Sequence, residues 1–329
     1  MTAPDLRRGK RRRKGGRDGD PVVPDVEFTS YYGRPVVKAS PWEADIPAYL
    51  FLGGLAAGSS LLAAGADATD RPALRRTGRL GALVGITVSF AALVHDLGRP
   101  ERFVNMLRVA KPTSPMSVGT WILTAYGPAA GLAGAAELTG LVPARLGFVK
   151  RLLGLAGRPA GVAAAAFAPA VASYTAVLLA DTATPAWHEA HRELPFLFVG
   201  SAAGAAGGFG MLGAPVDQAG PARRLAVAGA ALELAAEHRM RESMGLAAET
   251  LDAGKAGRLM RASHALTAGG AVVGALLGRR SRIAAGAAGA ALVAGSACTR
   301  FAIFEAGQAS AHDPKYTVVP QRERADRRS

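Results

Sequence analysis

A single cysteine, Cys298, stands among 329 residues, and that scarcity excludes several kinds of chemistry. No intrachain disulfide can form, and neither a four-thiolate iron–sulfur cluster nor a cysteine-built structural zinc site is available. Any iron–sulfur chemistry must reside in another chain. Histidine is also sparse, at six residues. His95, His238 and His264 come nearest to apolar runs, yet none sits well inside one, so paired axial ligands for a haem are not supplied. Acidic residues are outnumbered, 25 against 39 Lys and Arg, for a formal net charge of +14. Much of the excess lies in Arg7, Arg8, Lys10, Arg11, Arg12, Arg13, Lys14 and Arg17. No basic module with interleaved aromatics follows them, which argues against nucleic-acid binding. The first apolar run begins only near Ile46, too far away for one export signal. These residues read as a polar tail that touches anionic lipid headgroups.

What the chain has in abundance is apolar length. Half of the residues are hydrophobic, and charges are confined to the ends and to short connecting stretches. Runs that are apolar all round and about 20 residues long match the bilayer core, whereas a soluble fold would show amphipathic elements. We expect eight spans, near 46–66, 78–97, 117–138, 159–180, 194–213, 223–238, 262–278 and 283–304. Only helices satisfy their own backbone in lipid, and the runs lack the alternation of a membrane barrel. The expected fold is therefore an all-α, polytopic membrane protein with eight transmembrane helices. Gly54/Gly58, Gly204/Gly208, Gly270/Gly274 and Gly274/Gly278 are small residues four apart, suited to close helix packing.

A faint repeat suggests how the spans are grouped. LFLGGLAAG from Leu50 resembles LFVGSAAGA from Leu197, and each follows a proline, with a tryptophan upstream. Two four-helix bundles follow as an expectation, at 41–185 and 186–306. They are flanked by a basic N-terminal tail and pre-helix segment (1–40) and a polar C-terminal tail (307–329). An even span count puts both termini on one side. Lys and Arg favour that side as cytoplasmic, with the two tails deciding it, since the loops alone lean slightly the other way.

The chemically informative residues gather at the face of the termini. Glu43 and Asp45 enter span one, and His95 and Asp96 end span two. Tyr174 lies near the end of span four. An ionisable pair in a membrane segment is a functional candidate, although Asp96 could instead pair with Arg99 or Arg102 to shape the loop. Tyr174 could contact a ligand oxygen or serve as an interfacial belt tyrosine. Glu233 and Glu237, one turn apart in span six, are candidates for a proton path, with snorkelling as the alternative for Glu237. Arg300 is expected to pair with Glu305 or with an acid of a neighbouring helix. The loops at 67–77 and 140–158, on the opposite face, read as ordinary basic connectors.

Three strings together, YYGRP…PWEADIPAYLFLGGLAAG, DLGRPERFVNML…PTSPMS and PAW…LPFLF, resemble the NrfD/PsrC-type membrane subunit of the polysulfide reductase family. The likeness spans roughly 31–305 and is most specific in the DLGRP…PTSPMS loop. It implies a subunit without haem or iron–sulfur cluster of its own, which binds menaquinone or another quinone near one face. It also implies docking to a ferredoxin-like four-cluster iron–sulfur subunit. That subunit is bound in turn to a catalytic oxidoreductase, often molybdopterin-dependent, such as formate dehydrogenase or polysulfide reductase. Where relatives carry a polar first-helix residue at the quinone, often histidine, this chain has Asp45 or Glu43. Arg99, Pro100, Arg102, Pro112 and Pro115 are the corresponding candidates for partner docking. The competing expectation is a secondary transporter or ion-translocating subunit, which would place its site at broken helices near the midplane.

Overall fold

The computed structural model describes residues 35–97, 99, 101, 103–141 and 143–327, with the backbone alone at 144. Among the described residues all regular structure is helical. In chain order the helices are α1 (Asp45–Ala68), α2 (Pro72–Asp96), α3 (Phe103–Met106), α4 (Pro115–Glu137), α5 (Gly147–Ala180) and α6 (Pro185–Glu189). They continue with α7 (Leu194–Gly213), α8 (Gly220–Ser243), α9 (Gly254–Leu277), α10 (Arg282–His312) and α11 (Lys315–Asp326). Proline in the first turn starts α2, α4, α6, α7 and α8, where the missing N–H is no loss. Ser114 and Ser281 cap α4 and α10 by accepting from Ser117 N and Ala284 N.

Five helices, α1, α2, α5, α7 and α10, are long and apolar enough to cross a membrane. The helices α4, α8 and α9 match them in length and overlap the remaining three expected spans. Charge explains the difference for two of them. Arg223, Arg224, Glu233, Glu237 and Arg239 fall within α8, and Lys255, Arg258 and Arg261 within α9. Large apolar side chains such as Val84, Trp121, Phe167, Phe196 and Val272 point outward, while the interior is mostly alanine and glycine. That inside-out pattern suits lipid, where small residues let backbones approach and bulky ones face the acyl chains.

Packing closes two similar rings. Helices α1, α2, α4 and α5 neighbour one another in sequence around one ring, and α7, α8, α9 and α10 around another. The rings meet chiefly where α7 packs on α1 and α5. Gly58 makes that contact possible: a Cβ there would lie 2.7 Å from both the Ala202 carbonyl oxygen and the Ala206 Cβ. Gly58→Val is therefore expected to destabilise the chain by about 2–3 kcal/mol, or to prevent folding outright. Detergent-resistant thermal unfolding would measure this, and a wild-type melting curve would refute the contact.

Two segments depart from expectation. The expected fourth span starts at 159, yet α5 begins at Gly147 and carries Pro159 and Pro169 inside it. At 34 residues it is about 51 Å long, well beyond the roughly 30 Å hydrocarbon core. The end of the chain is not simply a polar tail, since α10 continues to His312 and α11 follows. Lys315 of α11 donates to Glu249 at 2.9 Å.

Candidate functional site

An apolar cavity of about 240 Å³ lies where α1 and α4 begin and α2 and α5 end. Trp42, Tyr49, Leu93, Met116 and Leu179 contribute apolar wall, and Asp96 and Tyr174 are among its few polar contributors. Tyr174 is buried, and its phenolic oxygen has no hydrogen-bond partner among the described residues. A buried hydroxyl without a partner is costly unless something else satisfies it, so a ligand acceptor is the natural complement. Gly119 of α4 lets the tyrosine ring approach, because a Cβ at that position would collide with it.

The acids and histidine at this end separate by function of position. Asp96 lines the cavity, with the backbone of Glu43 beside its carboxylate. His95, the next residue back, turns outward and sets Nδ1 2.7 Å from Asp45 Oδ2. Its side chain is 81% exposed, which leaves the His95–Asp45 pair in contact with water. The Glu43 side chain is on the surface. Thus His95 and Asp96 do not form a pair, and among the described residues no ion pair joins Asp96 to Arg99. Pro100 and Arg102 lie outside the described residues.

The cavity does not end at its walls. Met106, Met116 and Thr120 also line a groove of about 200 Å³ that reaches Lys111 and Ser117. Those two residues in turn border an outer groove of about 350 Å³ against Trp121 and Phe167 on the outer face of α4 and α5. The KPTSPMS string builds this flank. Ser114 caps α4, Pro115 occupies its first turn, and Ser117 Oγ accepts from Lys111 N at 2.9 Å while donating to the Val109 carbonyl at 3.0 Å. Arg99 and Pro112 are exposed at the same end, whereas Pro115 is half-buried.

A second polar group lies within the ring of α7 to α10. Glu233 is 3% exposed, and its Oε1 takes a 2.5 Å hydrogen bond from Thr299, which is 2.6 Å from Ser263. One turn on, buried Glu237 accepts from Arg241 at 2.7 Å and contacts His264. Arg241 also donates to the exposed Asp252, which carries the polar line to the surface. Glu237 is therefore not snorkelling, while His238 is exposed and faces Glu242. Arg300 is not paired with Glu305, whose partner is Lys255 at 2.6 Å. The Arg300 guanidinium instead lies 3.6 Å over the Phe198 ring and donates to the Phe198 carbonyl at 2.6 Å.

The far ends of α1, α2 and α4 overturn the reading of plain connectors. Arg79, 6% exposed, reaches Glu137 at 2.9 Å and Asp67 at 3.4 Å. Arg75 bonds to the same two acids, and Arg158 joins Asp67 at 3.3 Å. Sequence reasoning missed this network; an arginine inside an apolar run was the available signal.

A search of curated proteins gave no match. The profile of the family described as "Polysulphide reductase, NrfD" matches residues 36–218. The match contains every residue lining the cavity and stops before α8, so it is shorter than the likeness read from the motifs. Covering more than half of the chain, it shows that this protein belongs to the NrfD family.

Proposed function

We propose that this chain is the quinone-reactive membrane subunit of a multi-subunit redox complex, and that the cavity at Tyr174 and Asp96 receives the quinone ring. NrfD membership supports a membrane subunit of a quinone-interacting complex. The observation that carries the site is the unpartnered Tyr174 hydroxyl in an apolar slot that also holds Asp96. Small-molecule sites have this composition, mostly apolar with a few placed polar groups, and the volume suits a ring at the small end of the range. The grooves leading toward Trp121 and Phe167 would take an apolar tail.

A bound quinone would supply two-electron chemistry coupled to two protons. Tyr174 would hold one ring oxygen by donating its O–H, and Asp96 would hold or pass a proton at the polar edge of the slot. His95 and Asp45, exposed beside it, would exchange protons with water, the range in which histidine titrates making it suited to that task. Glu233 and Glu237, tied to the surface through Arg241 and Asp252, would form a proton path in the other ring. This reading includes eight spans in two four-helix bundles, 41–185 and 186–306, and both termini in the cytoplasm. The surface around Arg99 and Pro112 would receive a ferredoxin-like iron–sulfur subunit, itself attached to a catalytic oxidoreductase of the molybdopterin-dependent kind.

Affinity purification of the tagged full chain in mild detergent tests the reading. An iron–sulfur protein and a larger oxidoreductase should co-purify with extractable quinone and no haem bands. Recovery of the chain alone, without quinone, would overturn it in favour of a transporter.

A further inference from the structure

The cavity wall formed by Trp42 is not held by its own helix ring. Trp42 precedes α1, and its indole stacks on Trp187 of α6 at 6.0 Å between ring centroids and 29° between planes. Trp187 is 1% exposed and donates through Nε1 to the Ile303 carbonyl of α10 at 2.8 Å. Gly307 permits that approach, since a Cβ at 307 would overlap the indole. One residue on, Gln308 Nε2 donates to two carbonyls of the pre-helix segment, Ser40 and Trp42, each at 3.1 Å. The last two turns of α10 thus grip both tryptophans.

We infer that Gln308 is a positioning residue for the ligand slot: it fixes the Trp42 indole as a wall and thereby sets how tightly a quinone ring is held. The inference rests on the quinone reading of the slot. Three features carry it. Trp42 lines the cavity directly, whereas Gln308 is not among its lining residues. The segment at 40–42 has no regular structure of its own, so the Gln308 amide supplies fixed donors where the backbone would otherwise move. The stack on Trp187 restrains the indole from the side, while the amide restrains its backbone.

The test uses the intact chain in detergent, with Trp121→Phe as background, so that the stacked pair are the remaining indoles among three tryptophans. The probe is 2-methyl-1,4-naphthoquinone, whose binding beside Trp42 should quench emission in a saturable way. Two substitutions are compared: Gln308→Met removes both donors without adding charge, and Gln308→Glu keeps the shape while removing the donors. Gln308 is half-buried, and gel filtration with circular dichroism checks that each variant folds. Both variants should shift the indole emission to the red and weaken naphthoquinone binding about tenfold, the scale of a lost neutral hydrogen bond. An unshifted spectrum, or unchanged affinity despite a shift, overturns the positioning role. Should the unsubstituted background show no saturable quenching, the quinone reading of the slot falls first and the role of Gln308 with it. Retained quenching with unaffected variants removes only the role of Gln308.

Discussion

Replacing Tyr174 by phenylalanine is expected to cut quinone affinity and turnover by roughly 10- to 100-fold while leaving the chain as stable as before, or slightly more so. The two halves of this outcome have one cause. The phenolic oxygen is buried and has no partner among the described residues, so in the absence of ligand it stands as an unsatisfied polar group. Removing such a group relieves a desolvation cost of about 1–3 kcal/mol, and phenylalanine preserves the ring that packs on Gly119. In the proposed quinone complex the same oxygen would donate to a ring carbonyl, and its loss would leave that carbonyl unpaired in an apolar slot. Naphthoquinone titration and thermal unfolding on the same preparation would separate the two effects. A variant less stable than the parent, with unchanged affinity, would make Tyr174 a packing residue and empty the slot of its main polar contact.

Much of the fold was legible because lipid imposes a simple length rule. The expected apolar stretches overlap every long helix among the described residues, α8 with its three acids included, although α4, α8 and α9 are less apolar than the other five. The misjudged boundaries have a local cause. Pro159 reads as a helix start because an interior proline loses a hydrogen bond, yet α5 runs through it. Neighbouring helices and local adjustment satisfy the freed carbonyl in membrane helices. At the other end, Pro320 sits inside α11, in a tail that composition alone marks only as polar.

The site was legible where residues lie on helix ends and illegible where distant segments meet. Tyr174 and Asp96 could be picked out because polar groups clustered at one end of the spans, and both line one cavity. Adjacent residues on a helix diverge by about 100°, which is why His95 turns to Asp45 while Asp96 turns inward. The same geometry rules out Glu305 as the partner of Arg300, because helix neighbours are three or four apart, not five; the other expectation, an acid of a neighbouring helix, agrees with its electrostatic interaction with Glu233 of α8. No local pattern announces that Gln308 reaches Trp42, since the contact spans 266 positions of sequence. Arg79 was overlooked for a related reason: its partners, Asp67 and Glu137, come from two other helices.

That arginine underlies the second large effect. Arg79→Met is expected to destabilise the chain by about 3–5 kcal/mol, measured by denaturant unfolding in mixed micelles, because it removes the buried cation from two half-buried carboxylates. Asp67 and Glu137 side chains are 13% and 9% exposed. Arg75 still reaches both acids, and the largely exposed Arg158 reaches Asp67, so the loss should fall toward the lower end. Neutralising all three residues together, Arg79→Met with Asp67→Asn and Glu137→Gln, should recover part of it, since the cost comes from unpaired charge rather than from a missing attraction. The network joins the last turns of α1 and α4 to the first turns of α2, at the opposite end of these helices from the Tyr174 cavity. Naphthoquinone affinity measured below the unfolding transition should therefore stay within about twofold of the parent, as expected for distant sites without shared partners. A stable Arg79→Met chain would mean that water already solvates the two acids. A folded variant with lost affinity would instead couple the two ends of the helix ring.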